Sequence, residues 1–317
     1  MFKFLLKPIL IRYRNLLSKA EGKDVDGLYK LLYNAVHDLE KPLKLAATQT
    51  KDTFSFQWEE LSVGEYMITD PWFKENVARI VSEEEVLIKS EWFKGKKVLD
   101  AGCGGGRWSY GLSELGANVT CVDINESALD FTKDILKEFD TDKKFVQTPL
   151  EELDTVLNDE KFDLVWSWGV THHCENFTKS FTNVANRVRE GGVIYLYLYG
   201  RSSINYSRDI GLFKQRIRYN TLESWEEKRN FLLEKAKGDE SQIHQLHDLF
   251  APLINRRFYK DEIAKMLTDL GFNSIEETLV TGEVRLKAIK GEDVLGYKES
   301  FLNKVDKDKH WFNHHDK

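Results

Sequence analysis

The chain has three cysteines in 317 residues, Cys103, Cys121 and Cys174, and no Cys-x-x-Cys pair among them. They are too few and too scattered for a disulfide framework, so a reducing, cytoplasmic compartment is expected. Positive charge is also short: 46 Lys and Arg against 52 Asp and Glu leave a net charge of -6. Without a global positive field, nucleic acid is not an expected partner. Long apolar runs are missing too. Lys3, Lys7 and Pro8 break the run from Met1 to Arg12, which excludes a signal h-region or a spanning helix there. Internal repeats and low-complexity tracts are absent, which removes solenoids and disordered arrays from consideration.

What is present suits a globular protein. Hydrophobic residues make up 41% and charged residues 31%, enough for a sizeable core, and the length fits one α/β core with additions. Residues 1–94 read as a helical N-terminal segment, with Leu28, Leu31, Leu32, Val36 and Leu39 at helical spacing. Asp70-Pro71 is a helix start, acid as cap and proline first, and the helix should run through Val77, Ile80 and Val81. The aromatic cluster Phe54-Ser55-Phe56-Gln57-Trp58 reads as loop.

From Lys96 the pattern changes. Strands expected at 97–101, 118–123, 143–147, 162–167 and 192–199 alternate with helices near 107–115, 126–138, 149–156 and 177–189. That alternation is the mark of a parallel sheet covered on both faces. A helical, charge-rich insertion follows at 201–257, then a helix from Lys260 to Leu270 stopped by Gly271, and an antiparallel pair at 274–280 and 284–290. Residues 291–317 read as a C-terminal helix and tail. The expected fold is α/β: a doubly wound seven-stranded sheet, parallel with a C-terminal antiparallel strand, its core at 95–200 and 258–290. The N-terminal segment and the insertion are expected to form a substrate cap.

The chemistry is concentrated in Lys97-Val98-Leu99-Asp100-Ala101-Gly102-Cys103-Gly104-Gly105-Gly106-Arg107. A buried strand runs into a glycine turn and then a helix start, where bare backbone at Gly102, Gly104 and Gly106 can approach a ligand and free N–H groups can hold a carboxylate. Asp100 stands ready for an ammonium group. Seventeen residues past Gly106, Asp123 ends the second strand, where a carboxylate accepts from both ribose hydroxyls. A nicotinamide dinucleotide fits less well, because the third glycine comes one place early for G-x-G-x-x-G.

These motifs, with Val122-Asp123, Val146-Gln147-Thr148-Pro149-Leu150-Glu151-Glu152-Leu153, Phe162-Asp163-Leu164-Val165 and Arg189-Glu190-Gly191-Gly192, resemble the class I S-adenosylmethionine-dependent methyltransferases. The likeness is strongest to small-molecule members such as the ubiquinone-type O-methyltransferases. The resemblance implies S-adenosylmethionine as cofactor. It implies cofactor contacts at Asp100, Gly102, Cys103, Gly104, Gly106, Asp123, Ile124 and Trp168, with Asp100 and Gly102 facing the methionine end, Asp123 the ribose and the Pro149-Leu150 backbone the adenine edge. Many relatives carry an acid where Pro149 stands, so Glu151 becomes the expected acceptor for the adenine amino group.

After the fourth strand, Trp168-Gly169-Val170-Thr171-His172-His173 lies where open parallel sheets bind ligands. His172 and His173 either take the acceptor's proton or orient the loop, and Tyr199 at the fifth strand's end is a weaker candidate. Phe56, Trp58, Arg201, Arg256 and Arg257 are substrate-side candidates. Arg201, Arg208, Arg216 and Arg218, with Arg256 and Arg257 closing the insertion, would suit a carboxylate or phosphate on a substrate, but a solvated helix face paired with Glu223, Glu226 and Glu227 is the favoured reading. His244 and His247, and His310, His314 and His315, are read as a helix face and a solvated tail, and no metal is expected.

The basic, amphipathic residues 1–20 are expected to pack on the core or on a second subunit in preference to a membrane surface. The reading is therefore a methyltransferase with a small-molecule acceptor, with homo-oligomerisation open. Two rivals stay beside it: methylation of RNA or protein, and a catalytically silent cofactor-binding regulatory subunit.

Overall fold

Alternation along the strands sets the architecture. Val98, Leu164 and Val193 lie in one buried cluster with Phe73, Val77, Trp108 and Leu112, while their neighbours Leu99, Val165 and Ile194 lie in another with Phe181, Ile263 and Leu267. Successive side chains of a strand face opposite ways, so the sheet separates two apolar layers. In this computed structural model, residues 44–61, 67–201, 206–293, 297–304 and 306–311 are described.

The sheet has seven strands in the order β3-β2-β1-β4-β5-β7-β6. They are β1 Lys97–Ala101, β2 Asn118–Asp123, β3 Lys143–Gln147, β4 Phe162–Trp168, β5 Val188–Leu198, β6 Phe272–Glu277 and β7 Val284–Lys290. The first five are parallel; β7 runs antiparallel to both β5 and β6. This is the doubly wound sheet with an antiparallel C-terminal strand that the sequence pattern implied. β5 starts four residues earlier than expected. Its pairing with β4 shifts register between Phe162 and Leu164, and Gly191 adopts φ +73°, so the chain enters the sheet through an irregularity rather than a longer helix.

The described residues fall into two compact units, one within 44–61 and 201–256, the other within 67–200 and 257–311. Residues 67–94, read from sequence with the N-terminal segment, fall in the sheet's unit. The reason is burial: Phe73, Val77, Ile80 and Val81 are fully buried in the sheet's own apolar layer, and each such side chain is worth about 1.5–3 kcal/mol there.

In the helical unit, α1 Lys44–Glu60 runs straight through the aromatic cluster that read as a loop. Packing overrides local propensity. Phe56 meets Trp225 at 5.0 Å and His247 at 5.5 Å, Trp58 meets His244 at 5.1 Å, and buried Gln57 bonds His244.

In the sheet unit, α2 Pro71–Arg79 is capped by Asp70, whose side chain accepts from the Trp72 and Phe73 amides. It continues as a π-helical turn, Ile80–Glu85, which buries both Glu84 and Glu85. The helices α3 Arg107–Glu114, α4 Glu126–Ile135, α5 Leu153–Val156 and α6 Phe177–Ala185 connect the strands. The insertion carries α7 Tyr206–Thr221, α8 Trp225–Lys235 and α9 Ile243–Phe250, and α10 Lys260–Asp269 precedes β6.

The C-terminal residues differ most from expectation. Among the described residues they form short 3-10 turns at Tyr297–Ser300 and Lys307–Lys309 rather than a helix. His310 and Trp311 are 1% and 2% exposed, not solvated. The Trp311 indole packs on Phe73 and Trp108 and donates to Glu85 at 2.6 Å. Likewise Arg216 is buried and donates to the Leu249 and Pro252 carbonyls, which takes it off a solvated helix face. Residues 1–20, His314 and His315 lie outside the described residues.

Candidate functional site

β1 ends at buried Asp100 and Ala101, and the chain turns sharply because Gly102, Gly104 and Gly106 adopt φ +87°, +51° and +75°, values that side chains with a Cβ resist. At Gly102 an added Cβ would lie 2.4 Å from the Val170 methyls, so the loop after β4 packs directly on bare backbone. The Gly102 and Cys103 amides donate to the Val122 carbonyl at 2.7 and 2.9 Å, which ties the turn to the tip of β2.

Asp123, the last residue of β2, locks the turn. Its Oδ2 accepts from the Gly104 amide and its Oδ1 from the Asn125 amide, both at 2.9 Å. Burial raises its pKa, and these amide bonds pull the other way. A carboxylate has about four acceptor sites, so two donors leave capacity on both oxygens. Such an acid at a strand tip, one turn from bare backbone, can accept from a vicinal diol.

Asp100 is deeper, 1% exposed, and its Oδ2 accepts from Ser109 at 2.6 Å. Burial lifts its carboxyl to about 7 against that hydrogen bond, with Asp123 adding to the rise and Arg107 opposing it. It sits there half-protonated near neutrality, a state that an approaching cation would convert to the anion. The Cys103 thiol is pushed well up by burial and by its neighbour Cys121, so this residue offers backbone rather than a thiolate.

Along the second edge of the turn, Ile124 is 37% exposed, whereas the Leu150 side chain points into the core at 4%. The Leu150 carbonyl accepts from Asn183, and Glu151 Oε1 accepts from the Asn176 amide at 3.0 Å. Glu151 is thus engaged at the start of α6, and Pro149 enters the turn before it with extended backbone.

At the end of β4, Trp168 stacks on Tyr197 with centroids 4.1 Å apart and lies under the Arg107 guanidinium at 4.6 Å. Its indole nitrogen donates to Glu85. Gly169, at φ +78°, then swings the chain so that Thr171–His173 form a 3-10 turn. His172 and His173 are 0% and 7% exposed, with ring centroids 4.1 Å apart. Tyr199 meets the two imidazoles at 4.1 and 5.5 Å, and the Arg257 guanidinium lies over the Tyr199 ring at 5.2 Å. The structure therefore brings together four residues named from sequence, His172, His173, Tyr199 and Arg257.

Phe56 and Trp58 are engaged inside the helical unit, and Arg201 and Arg256 also belong to that unit. Buried His247 bonds Tyr219 and is held down at about 4 by burial. Among the described residues no group of three His, Cys, Asp or Glu side chains is arranged to hold a metal.

Sequence reasoning missed Ser109, Val170 and Glu85. Glu85 is fully buried, accepting from Tyr195 and Trp311 and facing Arg285 at 3.7 Å. Nothing in Glu83-Glu84-Glu85 distinguishes it from a solvated acidic run. Ser109 was more accessible to reasoning, since a hydroxyl two residues into a helix after a buried acid is a natural partner for it.

Comparison with known proteins agrees with this geometry. Residues 99–196 match the family model described as a methyltransferase domain. The ubiquinone biosynthesis O-methyltransferase of Dechloromonas aromatica is 36% identical over 112 residues, covering 35% of this chain and 48% of the relative. That of Haemophilus ducreyi is 32% identical over 120 residues, 37% of this chain and 51% of the relative. The chain thus spans about half the length of the curated relatives it matches. Among solved structures, a Burkholderia thailandensis 1,6-didemethyltoxoflavin-N1-methyltransferase is similar with a TM-score of 0.49 at 18% identity, covering 80% of this chain and 94% of that one.

Proposed function

We propose that residues 99–196, which match a methyltransferase-domain family model, form a class I S-adenosylmethionine-dependent methyltransferase domain, and that the chain methylates a hydroxyl group of a small-molecule acceptor. Bound S-adenosylmethionine supplies an electrophilic methyl on a cationic sulfur, so the chain's own task is to align two reactants and remove a proton.

In this reading the Gly102–Gly106 backbone and Asp100 hold the methionine end, Asp123 the ribose hydroxyls, and Ile124 with the Pro149-Leu150 segment the adenine. Trp168 walls the site. The residues fit such a group: the turn offers amides and bare backbone, and Asp123 keeps acceptor capacity beyond its two amide bonds. His172 and His173 face the acceptor, where a neutral imidazole can take a hydroxyl proton as the methyl arrives. The oxygen assignment draws on the relatives' being O-methyltransferases and on that imidazole pair.

The observation that carries the proposal is the lock between turn and acid, the Gly104 amide on Asp123 Oδ2 at 2.9 Å. Titration calorimetry with S-adenosylhomocysteine tests it. Asp123→Ala should weaken binding about tenfold or more, the range of a lost charge-assisted hydrogen bond, and Gly104→Val should weaken it similarly by placing a branched side chain at a φ of +51°. Unchanged affinity in both folded variants would defeat the cofactor assignment.

A further inference from the structure

Arg257 is 5% exposed, yet among the described residues it meets a carbonyl and an aromatic ring. One guanidinium nitrogen donates to the Gly200 carbonyl at 3.1 Å, and the group lies over the Tyr199 ring at 5.2 Å. Among the described residues no carboxylate comes within ion-pair distance of it. Arg285, on the neighbouring strand, shows the usual solution, a buried carboxylate at 3.7 Å. A desolvated cation without a counter-ion is costly unless an anion joins it, and a guanidinium presents five donors, of which a single carbonyl cannot use more than a part.

The backbone holds this group at one place. Gly200 and Phe258 form a parallel bridge, and the Phe258 amide donates to the Tyr199 carbonyl at 3.0 Å, so Arg257 runs beside the end of β5. Gly200 cannot yield: a Cβ there would sit 1.7 Å from the Gly282 carbonyl oxygen, and its amide is held by Glu283. The ring under the guanidinium is the same Tyr199 ring that touches His172 and His173. Buried Arg187 also rests on a carbonyl, that of Asn158, but at the start of β5, on the opposite edge of the sheet.

We infer that Arg257 is the counter-charge for an anionic group, a carboxylate or phosphate, carried by the methyl acceptor. The inference rests on the methyltransferase reading and narrows it to an acidic acceptor whose anion sits at Arg257 while its hydroxyl lies at the imidazoles. An arginine suits this task because its planar fork binds such anions through two parallel hydrogen bonds. The cofactor's own carboxylate shares the same chemistry, and the test separates the two sources.

The test is calorimetric, on the full chain saturated with S-adenosylhomocysteine, with 3,4-dihydroxybenzoate and its neutral isostere 3,4-dihydroxybenzyl alcohol as probes. The carboxylate should bind about tenfold or more tightly than the alcohol. Arg257→Met should abolish that preference, and Arg257→Lys, which keeps charge but not the fork, should retain part of it; thermal melts establish that both variants fold. Binding of neither probe, equal binding of both, or a preference that survives Arg257→Met would overturn the inference. Weakening of S-adenosylhomocysteine by Arg257→Met with the preference intact would assign the arginine to the cofactor, and would overturn it equally. Failure of the native chain to bind S-adenosylhomocysteine at all is a separate result, against the methyltransferase reading itself.

Discussion

Asp100 ties proton uptake to both folding and ligand binding. Burial at the tip of β1 lifts its carboxyl from 3.8 to about 7, although Ser109 donates to it. An acid whose folded pKa is raised favours the folded state fully only below its unfolded pKa, and that contribution is lost as pH rises through the folded value. The window is therefore 3.8 to about 7, and three units at about 1.4 kcal/mol each give about 4 kcal/mol. Replacement by asparagine removes the titration while keeping an acceptor for Ser109. The unfolding free energy of the native chain relative to Asp100→Asn should fall by about 4 kcal/mol between about pH 4 and about pH 8, read from urea melts. Constant differences in packing cancel in that comparison. If the ligand's ammonium group settles beside Asp100, its binding near about pH 6 should release close to one proton from the native chain and none from Asp100→Asn, measured by calorimetry in buffers of different ionisation enthalpy. A pH-independent difference between the two melting series, or equal proton release, would refute the reasoning.

Glu85 makes the opposite case: burial pushes its pKa up, but Arg285, His310 and hydrogen bonds from Tyr195 and Trp311 outweigh this and hold it below the ordinary value. Glu85→Ala leaves Arg285 buried without its carboxylate and should cost about 3–5 kcal/mol in a denaturant melt, with Glu85→Gln less damaging; a loss under about 1 kcal/mol in both would contradict the network. Its stabilising effect should be present above the ordinary carboxylate pKa and fade as pH falls. Gly200→Ala should prevent recovery of soluble, folded chain, because its Cβ would meet Gly282 backbone at 1.7 Å. His172→Ala and His173→Ala should lower kcat by about a hundredfold or more for the residue acting as base, with S-adenosylhomocysteine affinity nearly unchanged; normal turnover in both would remove the imidazoles from the acceptor side.

The parts of the molecule that sequence made legible are those governed by local rules. Glycine positions dictated the turn at Gly102–Gly106, alternation dictated β1 to β5, and Asp70-Pro71 capped α2 as its residue types require. What stayed hidden depends on distant contacts. Phe56 and Trp58 belong to a helix because Trp225, His244 and His247 receive them from far along the chain. The tail reads as polar and solvated, yet Trp311 finds an aromatic layer of Phe73, Trp108 and Trp168 and a carboxylate at Glu85. The site positions divide the same way: Asp100 and Asp123 at the ends of β1 and β2, and His172 in the turn after β4, follow from topology, whereas the contacts of Val170 on Gly102 and of Arg257 over Tyr199 do not.

Diffraction from crystals of the chain grown with S-adenosylhomocysteine probes the core of the account in one measurement. The nucleoside should appear across the glycine turn, its ribose hydroxyls on Asp123 and its amino group towards Asp100. Ligand bound elsewhere, or a turn sealed by Val170 with no nucleoside at saturating concentration, would contradict it.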